Sequence, residues 1–160
     1  MCGISGIYSL SNNPIKNLKS RLILMTDLLH HRGPDQKGIY TSKNNTFGFS
    51  NNRLSIVSPN EKIVLPFTKD KKNYLSFNGE IYNYLEIQKK LKKSKIKFIG
   101  KTDTEVLYEF LKKYGSKNLK KLNGMWSFAY YNSFSHELIL SRDLMGERHL
   151  FYAIQKDELI

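Results

Sequence analysis

The sequence opens with Met1-Cys2-Gly3-Ile4-Ser5-Gly6-Ile7, and its second position is the most informative one in the chain. Small residues mix with apolar ones here, and the pattern predicts a short strand over residues 3–9. Because cysteine is small, methionine aminopeptidase is expected to remove Met1 and leave Cys2 with both a thiol and a free α-amine. Such an amine has a pKa of about 7.7–8.0, so it can serve as a base near neutral pH. The competing interpretation is that Cys2 is a small buried hydrophobic residue, as lone cysteines commonly are.

Length and composition fit one domain. The chain has 160 residues, of which 40% are hydrophobic, and this is enough for a substantial core. The single cysteine excludes an internal disulfide framework and a multi-cysteine metal site. No apolar run is long enough to span a bilayer, and no basic segment of the signal-peptide type precedes the first apolar stretch. We therefore expect a cytoplasmic domain that binds neither a metal nor a membrane.

The net charge of +12, from 26 Lys and Arg against 14 Asp and Glu, raises the question of nucleic-acid binding. Most of the excess is lysine, and one run at residues 89–97 falls at the end of a predicted helix, where cations complement the helix dipole. Base recognition favours arginine, and no nucleic-acid motif accompanies the charge. We expect no nucleic-acid partner. A non-catalytic basic binding or scaffold module is kept as the alternative function.

Apolar periodicity predicts the remaining elements. Helices are expected over 18–29, over 83–94, and over 102–114, where Thr102 and Glu105 have the spacing of a capping box. Strands are expected near 37–41, 46–51, 53–57, 73–77, 96–99, 125–131, 137–142 and 149–154. Helices that lie among several groups of strands imply an α+β fold, with helices packed on sheets that stack or are covered.

Five motifs occur in order along the chain: CGISGI at 2–7, HRGPD at 31–35, NRLSIV at 52–57, FNGEIYN at 77–83 and TDTEV at 102–106. The set resembles the class II, or N-terminal nucleophile, glutamine amidotransferases. It is most similar to the glutaminase domain of bacterial asparagine synthetase B-type enzymes. Two later segments agree, LNGMWSFA at 122–129 and SRDLMG at 141–146. The resemblance implies one amidotransferase domain over residues 1–160, with the four-layer αββα sandwich of the N-terminal nucleophile hydrolases.

The resemblance also implies catalytic roles. Cys2 would attack the carboxamide of glutamine, while the side chain of Asn78 and the backbone N–H of Gly79 would stabilise the oxyanion. Glycine suits the last role because no Cβ would obstruct the substrate. Without the motif, Asn-Gly would be explained as a common turn dipeptide. His30 and His31 lie at a predicted helix end, which the dipole explains, and are assigned no catalytic role.

Substrate binding is implied for a second group of residues. Arg53 can hold a carboxylate with two hydrogen bonds, and Asp103 can bind the ammonium group of glutamine. Backbone groups near Leu54, Ile56 and Glu80 would assist. The alternative for Asp103 is purely structural, since aspartate is favoured in the first turn of a helix.

Expectations for the longer protein follow from the same resemblance. The family passes ammonia to a C-terminal synthetase domain that uses ATP and magnesium and carries a Ser-Gly-Gly-x-Asp motif. That domain is not in this sequence, which ends in an apparent strand at 157–160, so we expect a truncation and no cofactor in the domain itself. L-glutamine and the synthetase domain are the expected partners, and a homodimer is a possible assembly. Leu65 and His149 stand where the family commonly has glutamine and proline, which leaves the acceptor open between aspartate and another acid such as a sugar acid.

Overall fold

The computed structural model describes residues 2–55 and 63–160. Alternating and apolar runs form strands, and the segments with helical periodicity form helices, as their patterns predict. In chain order the elements are β1 (Gly3–Ser9), α1 (Leu18–Leu28), β2 (Gln36–Thr41), β3 (Phe47–Arg53), β4 (Asn73–Ile81), α2 (Tyr84–Lys93), α3 (Asp103–Tyr114), β5 (Gly124–Asn132), β6 (Glu137–Arg142), β7 (Ile154–Gln155) and β8 (Glu158–Leu159). Short 3₁₀ helices span His30–Arg32 and Ser116–Lys121.

The strands form two antiparallel sheets. One has five strands in the order β2-β3-β1-β8-β7, and the other has three in the order β4-β5-β6. In the first sheet Gly3 lies opposite Asn52, so the start of β1 meets the end of β3. In the second sheet Asn78 lies opposite Ser127. The N-terminal part of β1 pairs with β3, whereas only Tyr8 and Ser9 at its other end pair with β8.

Aromatic side chains fill the space between the two sheets. From β3, Phe47 and Phe49 pack against residues of the three-stranded sheet that include Tyr74 and Tyr131. The ring centroids of Phe47 and Tyr131 lie 3.9 Å apart, and those of Tyr40 and Tyr74 lie 3.8 Å apart and stacked. Burial of such large rings is a major source of stability. The two sheets are thus joined face to face.

Helices cover the outer face of each sheet. Leu18 and Leu22 of α1 pack with Ile7 of β1 against the five-stranded sheet. On the other side, α2 and α3 bury apolar residues such as Leu91 and Leu107 against the three-stranded sheet. The resulting layers are helix, sheet, sheet and helix, so the predicted αββα arrangement is the observed one.

Three strand predictions are wrong, one of them entirely and two in part. The segment predicted at 53–57 is not a separate strand, because β3 runs on to Arg53 and residues 54–55 are irregular; residues 56–57 lie outside the described ranges. Residues 96–99 are not a strand, since the N–H groups of Ile99 and Gly100 donate to the carboxylate of Glu105 instead, at 2.9 and 2.7 Å. Of 149–154, only Ile154 is in a strand, and the preceding Phe151 is exposed. Short apolar runs do not by themselves distinguish a strand from an exposed segment.

Within the described ranges, every helix is too short or too polar to cross a bilayer.

Candidate active site

The start of β1 places Cys2 beside Asn78 of β4, across the gap between the sheets. Met1 precedes Cys2 in this structure, so the nitrogen of Cys2 is a peptide nitrogen that stands for the α-amine of the processed chain. That nitrogen donates a 3.0 Å hydrogen bond to Oδ1 of Asn78. The thiol Sγ lies 4.0 Å from the carbonyl oxygen of Leu54. Residues distant in sequence thus bring a thiol, the nitrogen of Cys2 and a side-chain amide together.

Seven of the eight predicted site residues line one pocket. They are Cys2, Arg53, Leu54, Asn78, Gly79, Glu80 and Asp103. Ile56 lies outside the described residues. Among residues 2–55 and 63–160, no group of three or more His, Cys, Asp or Glu side chains is placed to hold a metal ion. The pocket therefore offers a thiol, charged groups of both signs and amide donors.

Burial raises the pKa of the Cys2 thiol, and Asp103 adds to the shift, while the Arg53 guanidinium acts against it. The group is consequently a thiol rather than a thiolate near neutral pH. A thiol is a weak nucleophile, so an attack by Sγ needs a base within reach of its proton. The nitrogen of Cys2 itself is on the same residue, and its bond to Asn78 fixes its orientation.

The strand pairing directs the N–H of Gly79 away from β5. Gly79 lies opposite Trp126. The N–H of Trp126 donates to Oδ2 of Asp143 at 3.1 Å, and its carbonyl accepts from the N–H of Asp143 at 2.8 Å. Both backbone groups of Trp126 therefore face the β6 side. Because hydrogen-bonded and non-hydrogen-bonded pairs alternate in an antiparallel ladder, the N–H of Gly79 faces the open edge of β4.

The N–H groups of the residues two positions before and two positions after Gly79 also face the open edge of β4. The N–H of Phe77 donates to Oδ1 of Asn51 at 3.3 Å, and the N–H of Ile81 donates to Oδ2 of Asp103 at 3.0 Å. Gly79 lies between them on this edge and lines the pocket. Its N–H is in position to act with the amide of Asn78 on a developing negative charge.

The reason for glycine at 79 differs from the sequence-based one. Its φ is 157°, and a Cβ built on it would lie 2.1 Å from the carbonyl oxygen of Met125 and 2.7 Å from Cα of Trp126. The missing side chain thus makes room for the backbone of β5, and not for the substrate as expected. Any larger residue would first disturb the pairing of β4 with β5.

Asp103 occupies the first turn of α3 and is tied to β4. Thr102 caps the helix, and its Oγ1 accepts from the N–H of Glu105 at 3.3 Å. Half of the predicted capping box is therefore present, whereas the Glu105 carboxylate is bound to Ile99 and Gly100. Burial raises the pKa of Asp103, and the nearby Glu80 carboxylate adds to the shift. A buried carboxylate of this kind is well suited to a cationic partner such as an ammonium group.

Arg53 ends β3 and is 8% exposed. Its Nη1 donates to Oε1 of Gln36 at 3.3 Å, which fixes the guanidinium at the pocket wall. A fixed guanidinium can hold a carboxylate through two parallel hydrogen bonds.

Arg148 also lines the pocket, and the sequence analysis did not assign it there. It follows a turn organised by Asp143, whose carboxylate accepts from the N–H groups of Trp126, Glu147 and Arg148 at 3.0–3.1 Å. Burial acts to raise the pKa of Asp143, but these donors outweigh it and hold the pKa below its ordinary value. The SRDLMG segment at 141–146 was the available signal, although it gives no indication that the following residue reaches the pocket.

Comparison with known proteins identifies the family of this chain. A family model described as a glutamine amidotransferase domain matches residues 1–160. The chain belongs to this family. The amidotransferase domain is 32% identical over 162 residues to glutamine-hydrolysing asparagine synthetase 1 of Bacillus subtilis, covering 99% of this chain and 25% of that protein. It is 32% identical over 146 residues to asparagine synthetase B of Escherichia coli, covering 91% of this chain and 26% of that protein.

The amidotransferase domain also has a structural relative. It matches the glutamine phosphoribosylpyrophosphate amidotransferase of Bacillus subtilis, a structure with ADP and GMP, with a TM-score of 0.75 and 18% identity. The match covers 99% of this chain and 41% of that one. The predicted fold and the predicted family resemblance are both confirmed, and the basic binding module is not favoured. The domain spans about a quarter of the length of the two asparagine synthetases.

Proposed function

We propose that this domain hydrolyses the side-chain amide of L-glutamine with Cys2 as the nucleophile. The observation that carries the proposal is the 3.0 Å bond between the Cys2 nitrogen and Oδ1 of Asn78, which joins nucleophile and oxyanion donor in one pocket. The carboxylate of Asp103 and the guanidinium of Arg53 line the same pocket. They are complementary to the ammonium and carboxylate groups of a free amino acid.

In the first step the neutral α-amine of Cys2 takes the proton of the thiol, and Sγ attacks the carbonyl carbon of the carboxamide. Because its oxygen accepts from the Cys2 nitrogen, Asn78 directs its Nδ2 elsewhere, and Nδ2 can donate to the oxyanion together with the N–H of Gly79. Each such donor contributes about 2.7–4 kcal/mol to the transition state.

The tetrahedral intermediate then collapses. The proton held by the α-amine passes to the leaving nitrogen, the C–N bond breaks and ammonia departs, leaving a γ-glutamyl thioester on Cys2. Water, deprotonated by the same amine, attacks the thioester and releases glutamate with the thiol restored. One group thus acts as base and then as acid in each half of the cycle.

The longer protein is proposed to use this ammonia. The two asparagine synthetase relatives are about four times as long as the matched segment, which supports a C-terminal synthetase domain that amidates a carboxylate with ATP and magnesium. Aspartate is the favoured acceptor by the names of these relatives, with a sugar acid or another carboxylic acid as the second candidate. A cytoplasmic location and a homodimer remain predictions.

The test is hydrolysis of L-glutamine by the purified protein, with the N-terminus checked by mass spectrometry for loss of Met1. A glutamine-mimicking electrophile such as diazo-oxo-norleucine should label the protein once, since Cys2 is its single cysteine. Cys2→Ala should abolish both hydrolysis and labelling, and this removes the nucleophile without changing the other pocket residues. Hydrolysis by Cys2→Ala at the parental rate would show that the nucleophile is assigned wrongly.

A further inference from the structure

Asn51 joins the two sheets next to the catalytic residues. It lies in β3, and its side chain is 2% exposed. Its Oδ1 accepts from Oγ of Ser76 at 2.8 Å and from the N–H of Phe77 at 3.3 Å. Its Nδ2 lies 3.4 Å from the carbonyl oxygens of both Gly3 and Phe77 and donates to them. One side-chain amide therefore uses its oxygen and both of its N–H bonds.

The bonded residues adjoin the catalytic ones in the chain. Gly3 directly follows Cys2, and Phe77 directly precedes Asn78. At Phe77 the amide of Asn51 takes the place of a neighbouring strand, because it binds both outward backbone groups of that residue. The interface between the sheets is otherwise largely apolar and aromatic. Apolar packing is non-directional, whereas a satisfied buried amide fixes distances and angles.

The structure assigns Asn51 as a positioning residue of the glutaminase site, which holds Cys2 at a set distance from the donors on Asn78 and Gly79. The assignment rests on the proposed function. Asn51 lines the pocket but is engaged with protein groups, so its effect on the reaction passes through the residues that it holds. Because the nucleophile and the oxyanion donors are on different sheets, a small relative shift of the sheets changes the geometry of attack. A misplacement of about 1 Å can cost about 100-fold in rate.

Asn52 provides a matched control. It is the next residue of the same strand and is fully buried, but its side chain is on the opposite face, where Nδ2 donates to the carbonyl of Thr26 at 3.1 Å. Asn51→Leu and Asn52→Leu each replace a buried amide with an apolar side chain of similar size. Both variants should lose stability, and only the first should change the spacing between Cys2 and Asn78.

The experiment measures kcat and KM for glutamine together with the NMR resonances of the Gly79 backbone amide and the Asn78 side-chain amide. For Asn51→Leu we expect kcat to fall by about 10- to 100-fold with KM changed by less than about threefold, and both resonances to shift. For Asn52→Leu we expect kcat and both resonances to match those of the parent. Equal behaviour of the two variants would overturn the assignment.

Ser76→Ala covers the case in which Asn51→Leu does not fold. Oγ of Ser76 lies 2.8 Å from Oδ1 of Asn51 and 3.0 Å from the carbonyl oxygen of Ser50, and its one proton is shared between these two acceptors. Loss of the hydroxyl therefore loosens Asn51 without removing it. A smaller fall in kcat with shifts at Gly79 and Asn78 supports the assignment, and unmoved resonances refute it. If the unsubstituted protein does not hydrolyse glutamine, the proposed function is refuted. The resonance shifts alone then decide whether Asn51 positions these residues.

Discussion

At the scale of single residues, the proposed reaction gives Asn78 two tasks, one for the oxygen and one for the nitrogen of its side-chain amide. Its oxygen accepts from the nitrogen of Cys2, and its Nδ2 lies 3.5 Å from Oγ of Ser127 with a second N–H left to donate. In the proposed reaction the oxygen orients the base, and the nitrogen stabilises the oxyanion. Because the second interaction strengthens only as negative charge develops, it lowers the barrier rather than the energy of the bound substrate.

Asn78→Asp separates these tasks, since it keeps an oxygen for the Cys2 nitrogen and removes the donor. We expect kcat for glutamine hydrolysis to fall by about 100- to 1,000-fold. Asp103→Asn should instead act mainly on KM, raising it by about tenfold, because it removes a charge that binds the ammonium group while keeping an acceptor for Ile81. Steady-state kinetics of the two variants are the measurement. If Asn78→Asp raises KM and leaves kcat intact, Asn78 is not an oxyanion donor.

Sequence could predict candidate residues for reaction and binding, seven of which line one pocket, because the chemistry dictates their types and their motifs are specific. It could not predict Asn51 or Arg148. Asn51 acts through partners on two other strands, and an asparagine within a strand carries no local signal of such contacts. Arg148 reaches the pocket only because Asp143 bends the chain after β6.

At the scale of elements, the segment just before β4, which contains Lys69 and Asp70, is held against α3 by ion pairs. Nζ of Lys69 lies 2.8 Å from Glu105 and 2.7 Å from Glu109. Burial acts to lower the pKa of Lys69, but its bonds to these carboxylates outweigh it and raise the pKa. Asp70 accepts from the hydroxyl of Tyr108 at 2.8 Å and from Lys112 at 2.7 Å. The anchoring holds the pocket wall against the helix that begins with Asp103, the residue proposed to bind the ammonium group of the substrate.

Asp70→Ala should lower the free energy of unfolding by about 1–3 kcal/mol at neutral pH, because it leaves several donors without an acceptor. Burial acts to raise the pKa of Asp70, but the bond from Lys112 and the backbone donors outweigh it and hold that pKa well below its usual range. The stabilisation is therefore complete above about pH 4, the value of an unfolded aspartate, and is lost as the pH falls further. Urea unfolding at a series of pH values is the measurement.

The exposed pair of Asp27 and Lys37, 3.1 Å apart, is the control for this experiment. Asp27→Ala should change the stability by less than about 1 kcal/mol, since solvent screens exposed pairs. If the deficit of Asp70→Ala does not shrink as the pH falls below about 4, the charge of Asp70 is not the source of its stabilisation.

Helices and long strands were predictable to within a few residues, whereas the short strands were not. Twelve residues of α3 repeat an apolar pattern over three turns, and nine residues of β5 give a long apolar run. The run at 96–99 has strand-like composition, yet its end is bound by the carboxylate of Glu105, a contact that no local pattern contains.

At the scale of the whole molecule, the two asparagine synthetases that resemble this domain extend far beyond the matched segment. We expect the full-length protein to carry nitrogen from glutamine to an acceptor carboxylate when ATP and magnesium are present. With amide-labelled [¹⁵N]glutamine, the label should enter the product even in excess unlabelled ammonium, because in direct transfer the ammonia would not equilibrate with solvent. Mass spectrometry of the product is the measurement.

Cys2→Ala in the full-length protein is the control, and it should form product from added ammonium alone. Label diluted to the level of the ammonium pool would contradict direct transfer. If the protein amidates another carboxylic acid and not aspartate, that acid is the acceptor. The glutaminase assignment is unaffected by this result.

The edge of β4 beside the pocket also bears on aggregation. An exposed edge strand is a template onto which another chain can add a strand, and proteins protect such edges. Here the outward backbone groups on either side of Gly79 are bound by Asn51 and Asp103. The gap between these two contacts is one residue long, at Gly79. A small molecule can enter this gap, but it is too short for a strand of another chain to pair with. The contacts that shape the pocket thus also keep this edge of the sheet from recruiting a foreign strand.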